Sequence, residues 1–196
     1  MKIKKIVDMC RREGVVRIYT DGYGVQWISN GYACYPLYDV PELSEDEFFT
    51  VFDFTEKQRN ETVFQRSEMP GTLSTADFAD MEELCEKLSP SIPYGSRLLV
   101  PYEVNGGVKF IDSEFLAPLA DESGRIEVYE RVSGKGAPYF VIKAGMCLRA
   151  IIMPFNAINQ AFVNNLGKVY SLCKDALISK SAEEAVQIGA FDSEDD

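Results

Sequence analysis

The run APYFVIKAGMCLRAIIMPF, Ala137 to Phe155, constrains this chain more than any other stretch. Strand Tyr139–Lys143 and strand Met146–Met153 follow each other with only a short Ala144-Gly145 turn between them. Strand Met146–Met153 is apolar on both sides. Successive side chains of a strand point to opposite faces, so it must be covered from two directions. Pro154 ends the second strand, because it has no N–H to give to a ladder. The fold must therefore bury both faces of one sheet.

The rest of the chain supplies strands in hairpin units. In VVRIYTDGYGVQWISNGYACYPL, Val16 and Ile18, then Val25 and Trp27, alternate across two strands. Asp21-Gly22 and Asn30-Gly31 mark turns, and a third strand covers Tyr32–Leu37. This is a three-stranded meander, with Trp27 expected to be at least partly buried. Further on, strands Arg97–Val104 and Val108–Ile111 flank Asn105-Gly106-Gly107, and strand Arg125–Val132 alternates cleanly. Ile126, Val128 and Val132 share one side of it, opposite Arg125, Glu127 and Arg131.

Helices fill the gaps. Residues 2–12 carry Ile3, Ile6, Val7 and Cys10 at helical spacing, with Gly14 as a C-cap and Lys2, Lys4, Lys5, Arg11 and Arg12 as a candidate basic patch. Ser44 with Glu47 makes a capping box, and a second short helix fits Thr55–Asn60. Residues 61–73 hold at most a short strand. STADFADMEELCEKL predicts an amphipathic helix, with Phe78, Met81, Leu84, Cys85 and Leu88 on one side and Asp80, Glu82, Glu83 and Glu86 in solvent. Asp112 caps a short helix containing Pro118. A long helix at 156–178 presents Ile158, Phe162, Leu166, Val169, Tyr170, Cys173 and Leu177, and is expected to cover the last sheet. The fold class is α+β: mostly antiparallel meanders with packed helices, extra helices falling within 44–88 and at 156–178. Residues 1–178 read as one elaborated domain with an insertion at 41–90, followed by an acidic tail at 179–196.

Charge and composition exclude much chemistry. The chain has 196 residues and a net charge of −11, which disfavours binding of nucleic acid or anionic membrane by its surface at large. No apolar run reaches the roughly 20 residues of a membrane span, and no signal-peptide h-region is seen, so a cytoplasmic location is expected. With no histidine, Ser-His-Asp, Cys-His and HExxH chemistry are ruled out. Five separated cysteines without a CxxC pair read as buried free thiols. Gly134-Lys135-Gly136 completes no phosphate-binding loop. No residue set stands out as catalytic or metal-binding, and no cofactor is indicated. The reading is a non-enzymatic interaction protein with an unidentified protein partner, homo-oligomers remaining open. The alternative is a small enzyme or ligand-binding protein using a carboxylate metal site.

The segment KFIDSEFLAPLADESGRIEVYERVSGKGAPYFVIKAGMCLRAIIMP resembles the last part of a bacterial DNA-polymerase sliding-clamp domain. Phe115-Leu116 matches that family's helix start and Met153-Pro154 its closing motif; GVVRIYTDGYGVQWISNG is similar to its earlier hairpin. The resemblance covers about half the chain. It implies a clamp-like fold with Met153 and Pro154 bordering a pocket for partner peptides. Three departures weaken any inherited function: the family's leading strand is missing, residues 41–90 are inserted, and the chain continues past Pro154. The helix near 112–121 carries Asp112, Glu114 and Asp121, the wrong sign for phosphates, so duplex DNA binding is expected to be weak or absent at physiological salt. QIGAF, Gln187 to Phe191, loosely resembles the short peptides that dock on clamps. The overall appearance suggests a phage or mobile-element setting.

Overall fold

Helix α1 (Ile3–Glu13) opens the chain and buries Ile6, Val7, Met9 and Cys10. Gly14 ends it in the left-handed region at φ 65°, where a Cβ is disfavoured. Strands β1 (Val15–Thr20), β2 (Gln26–Ser29) and β3 (Ala33–Leu37) then form the expected meander. Its first turn is organised by Asp21, whose carboxylate accepts from the N–H groups of Tyr23 and Val25 and from the Trp27 indole, each at 2.9 Å. Trp27 is only 2% exposed.

Helices α2 (Glu45–Val51) and α3 (Glu56–Glu61) both carry complete capping boxes, at Ser44/Glu47 and Thr55/Gln58. Phe48, Phe49 and Phe54 from this region join the core. Strand β4 (Val63–Glu68) pairs with β1 in parallel, the one departure from antiparallel order among the described residues. Then come β5 (Glu83–Leu84), β6 (Glu86–Lys87), β7 (Ile92–Tyr94), β8 (Arg97–Val104) and β9 (Gly107–Asp112). A 3-10 helix, Ser113–Leu119, is capped by Asp112 and tolerates Pro118. Strands β10 (Ile126–Val132), β11 (Pro138–Ala144) and β12 (Cys147–Ile152) complete the meander predicted from the opening run. Helix α4 (Gln160–Phe191) follows. The computed structural model describes residues 1–38, 40–122 and 126–191, with side chains to 180; Arg125 and the end of the acidic tail lie outside the described residues.

The fold is α+β. One mixed sheet of eight strands has the order β4-β1-β2-β3-β12-β11-β10-β5, and a smaller sheet has β8 paired with β9 on one edge and with β6 and β7 on the other. The first face of the large sheet meets α1, the smaller sheet and the 3-10 helix. Val16, Ile18, Ile28, Tyr35, Phe140, Ile142, Ala150 and Ile152 bury there with Tyr102, Ile111, Phe115 and Leu119. The second face buries Trp27, Cys34, Tyr139, Val141, Leu148 and Ile151. Along β11, therefore, Phe140 and Ile142 serve one core while Tyr139 and Val141 serve the other. The two-sided burial read from the sequence is what forms.

Its cover was misread. The helix predicted over Ser74–Leu88 does not form: the chain there runs through turns into β5 and β6. β4 and β5 are the two ends of the large sheet's strand order, and residues 69–82 join them. Their backbone groups are met by distant partners rather than within a helix: Met69 N–H donates to Thr20 O, Gly134 N–H donates to Thr72 O, Ser74 N–H donates to the Tyr139 hydroxyl, and Arg131 donates to the carbonyls of Ser74, Ala76 and Asp77. This segment lies over the second face, where Met69 and Leu73 pack against the Trp27–Tyr139 cluster. Below, it is called the strap.

The chain divides into two compact units, Met1–Asn156 and Ala157–Asp196. Helix α4 starts at Gln160, not 156, and runs through the expected tail to Phe191. Of the apolar residues expected to be buried there, Ile158, Leu166, Val169, Tyr170 and Leu177 are exposed, as is Val163.

Phe140 is fully buried on the first face of β11. Phe140→Ala is expected to lower stability by about 3–5 kcal/mol in urea melts, as for other large-to-small core changes. A loss under about 1 kcal/mol would contradict the two-sided core.

Candidate functional site

Lys143 is a lone cation inside an otherwise apolar strand, and only 3% of it is exposed. A charge so placed needs a partner, since an unpaired buried ion costs several kcal/mol. The partner is Glu82 of the strap, which Lys143 Nζ contacts through Oε1. The ammonium also sits over the rings of Tyr129 and Phe78, 4.5 and 5.0 Å from their centroids.

Arg131 of β10, 2% exposed, shares the same carboxylate. It donates to Glu82 Oε2 from Nε at 2.9 Å and from Nη2 at 2.5 Å. Its remaining donors go to strap carbonyls: Ser74 at 3.2 Å, Ala76 at 2.9 Å and Asp77 at 3.3 Å. One carboxylate thus serves two buried cations, and one guanidinium fixes the backbone of three strap residues. The Asp77 carboxylate adds a further tie by accepting from Leu148 N–H at 2.7 Å. Burial pushes the Glu82 carboxyl up, but hydrogen bonds from Lys143 and Arg131, with their charges, more than offset this and hold it below its ordinary value.

Beside this cluster lies a cavity of about 660 Å³ lined by Asp80, Met81, Glu82, Glu83, Asn105, Lys109, Glu130, Val132, Gly136 and Pro138. Lys109 is ion-paired with Glu130, which is almost fully buried. A second cleft, about 770 Å³, opens where the two sheets part. Leu84, Cys85, Tyr102, Leu116, Ile126 and Val128 form its apolar lining. Among the described residues, no group of three or more Cys, Asp or Glu is placed to hold a metal ion.

The predicted basic patch is largely paired. Lys2 meets Asp121 at 2.8 Å, Arg11 meets Asp8 at 2.6 Å and also donates to Phe52 O at 2.7 Å, and Arg12 pairs with Glu114. Lys4 and Lys5 are exposed. Two of the carboxylates that gave the wrong sign for phosphate, Glu114 and Asp121, are thus partners of this helix's cations, while Asp112 pairs with Arg97. Met153 gives its N–H to Tyr32 O at 2.8 Å and its side chain packs on the second-face cluster, so it closes the sheet; Pro154 follows it, half-buried. Side chains of Gln187–Phe191 lie outside the described residues.

Cysteine burial is met for Cys10, Cys34 and Cys85, and corrected for Cys147 and Cys173, which are exposed. Cys147 begins β12 at a hairpin tip and Cys173 sits on α4. Burial pushes the Cys10 thiol up to about 12 and the Cys85 thiol to about 11, so neither is a nucleophile at neutral pH.

Sequence reasoning missed the Glu82–Arg131–Lys143 cluster. It placed Glu82 on a solvated helix face and Arg131 on the outward side of its strand. The signal was Lys143 itself, a cation in a strand apolar on both faces. No family model matches this sequence, and neither the curated proteins nor the solved structures yield a match.

The sign of the Glu82 shift sets an acid dependence. Its folded value lies below the ordinary 4.5, so the unfolded chain binds this proton first. The cluster's contribution is complete above 4.5 and is lost as pH falls through the lower folded value. Stability measured by denaturant melts should fall across that range, and Glu82→Gln should flatten the fall. An unchanged acid profile in Glu82→Gln would show that Glu82 carries no linkage.

Proposed function

We propose that this chain is a non-enzymatic interaction or accessory protein, with a sliding-clamp-like α+β unit, that engages a protein partner through helix α4. The observation that carries the reading is the exposed apolar stripe of that helix. Val163, Leu166, Tyr170 and Cys173 recur at i, i+3, i+7 and i+10, the spacing of one helical face, and all are exposed. Contiguous apolar surface of this kind marks interaction sites in soluble proteins. The charged side chains inside Met1–Asn156 support the same reading: Glu82, Arg131, Lys143, Lys109, Glu130, Arg97 and Asp112 are paired with one another rather than poised for proton transfer.

Cross-linking of the tagged full-length chain in its host cells tests this. Partner peptides are expected to map to α4 and to disappear in a Leu166→Asp, Tyr170→Asp variant that keeps its far-ultraviolet circular dichroism. Cross-links confined to other surfaces, or unaffected by the variant, would count against the reading.

The carboxylate-rich cavity beside Glu82 keeps one alternative in play, a metal-dependent enzyme or ligand-binding protein. Magnesium or manganese bound there would raise the melting temperature by mass action. On the interaction reading, titration of either ion to millimolar levels leaves the melting temperature unchanged. A saturable rise that is lost in Glu83→Gln would favour the enzyme.

The clamp-like layout is not proposed to bring clamp activity. Lys2, Arg11 and Arg12 are neutralised by Asp121, Asp8 and Glu114, leaving Lys4 and Lys5 as the open charges of α1. Fluorescence anisotropy with duplex DNA at ~0.15 M salt should give no saturable binding, since phosphate contacts of so few cations are lost to counterions. Tight binding that survives this salt, and falls on Lys4→Ala with Lys5→Ala, would overturn this and support a DNA-encircling role.

A further inference from the structure

We propose that the strap is a latch: residues 70–82 open as a unit while the sheets beneath stay folded, uncovering the apolar second face with Trp27, Tyr139 and Cys34. The argument starts from how little apolar surface holds it. Only Met69 and Leu73 pack on the second-face cluster, whereas Phe78 is 60% and Met81 86% exposed. Segments with few buried apolar contacts open at lower free energy than the core they cover.

What holds the strap is polar and concentrated at its far end. Arg131 takes the carbonyls of Ser74, Ala76 and Asp77, Arg131 and Lys143 take Glu82, and Asp77 takes Leu148 N–H. Nearer its start, Met69 N–H donates to Thr20 O, Gly134 N–H donates to Thr72 O, and Ser74 N–H donates to the Tyr139 hydroxyl. No β-ladder binds residues 69–82 to the sheet they cross. Charge-assisted bonds that converge on one carboxylate release together once that carboxylate leaves. The released face then presents Trp27, Cys34, Tyr139, Val141, Leu148 and Ile151 beside two cations that have lost their counter-ion.

The cysteines report the opening without added probes. Cys34 belongs to the second-face cluster against which Met69 and Leu73 pack, whereas Cys10 and Cys85 lie in the first-face core. Iodoacetamide labelling of the native full-length chain, read per cysteine by mass spectrometry alongside amide hydrogen exchange, separates local from global opening. The latch requires Cys34 to label at least about tenfold faster than Cys10 and Cys85, at the rate at which amides in 70–82 exchange. Glu82→Gln should raise Cys34 labelling a further tenfold or so, with Cys10 and Cys85 unmoved. One common rate for all three buried thiols would overturn the latch, since opening would then be global. So would fast exchange of 70–82 with Cys34 as slow as Cys10, because the strap would be fraying without uncovering the face. If Glu82→Gln does not fold, the wild-type rates decide alone.

Discussion

The buried guanidinium of Arg131 is the constraint on which this fold turns. It cannot be left without partners in the interior, and its donors are met by Glu82 and by the strap carbonyls of Ser74, Ala76 and Asp77. By meeting that requirement the strap is drawn across the second face of the sheet. The two-sided apolar hairpin β11–β12 then finds its second cover. Lys143, on the neighbouring strand, reaches the same carboxylate and makes the arrangement directional: only a strap that delivers Glu82 to this point satisfies both cations.

Topology and electrostatics agree here. The connection between β4 and β5, which stand at opposite ends of the strand order, runs over the second face through turns rather than a helix. Outside its Pro70–Leu73 turn the strap does not satisfy its backbone groups within itself, as a helix would, so the sheet supplies the partners: Arg131 donates to strap carbonyls, the Tyr139 hydroxyl accepts from Ser74 N–H, and Leu148 N–H donates to the Asp77 carboxylate. Stability in such a segment comes from a few strong polar ties rather than from area. Stripping one tie leaves buried charge uncompensated, which makes the region cooperative and sensitive to a single carboxylate.

Much of this was legible in the sequence. The Asp21 and Asn30 turns, the capping box at Ser44, the hairpin at Asn105-Gly106 and the period-two pattern of β10 each have a local cause, and each forms where the pattern puts it. The need for two covers on β12 was also readable. Which segment supplied the second cover was not. STADFADMEELCEKL has genuine helical periodicity, and α4 is the longest apolar stripe in the chain, so local reasoning assigned a helix to the first and the cover to the second. Strand order decides otherwise, and strand order is a non-local property: nothing within residues 74–88 says that they join opposite edges of one sheet. The site followed the same error, because Glu82 on a helix face faces water, while Glu82 on the strap faces Arg131.

The central claim is that the strap covers the second face of the sheet. Nuclear Overhauser contacts from the Trp27 indole and the Tyr139 ring, recorded on the full-length chain with methyl-labelled Leu, Met and Val, test it directly. The account predicts cross-peaks to Leu73 and Met69 methyl groups. Cross-peaks instead to Val163 or Leu166 methyl groups of α4, with none to Leu73 or Met69, would contradict it.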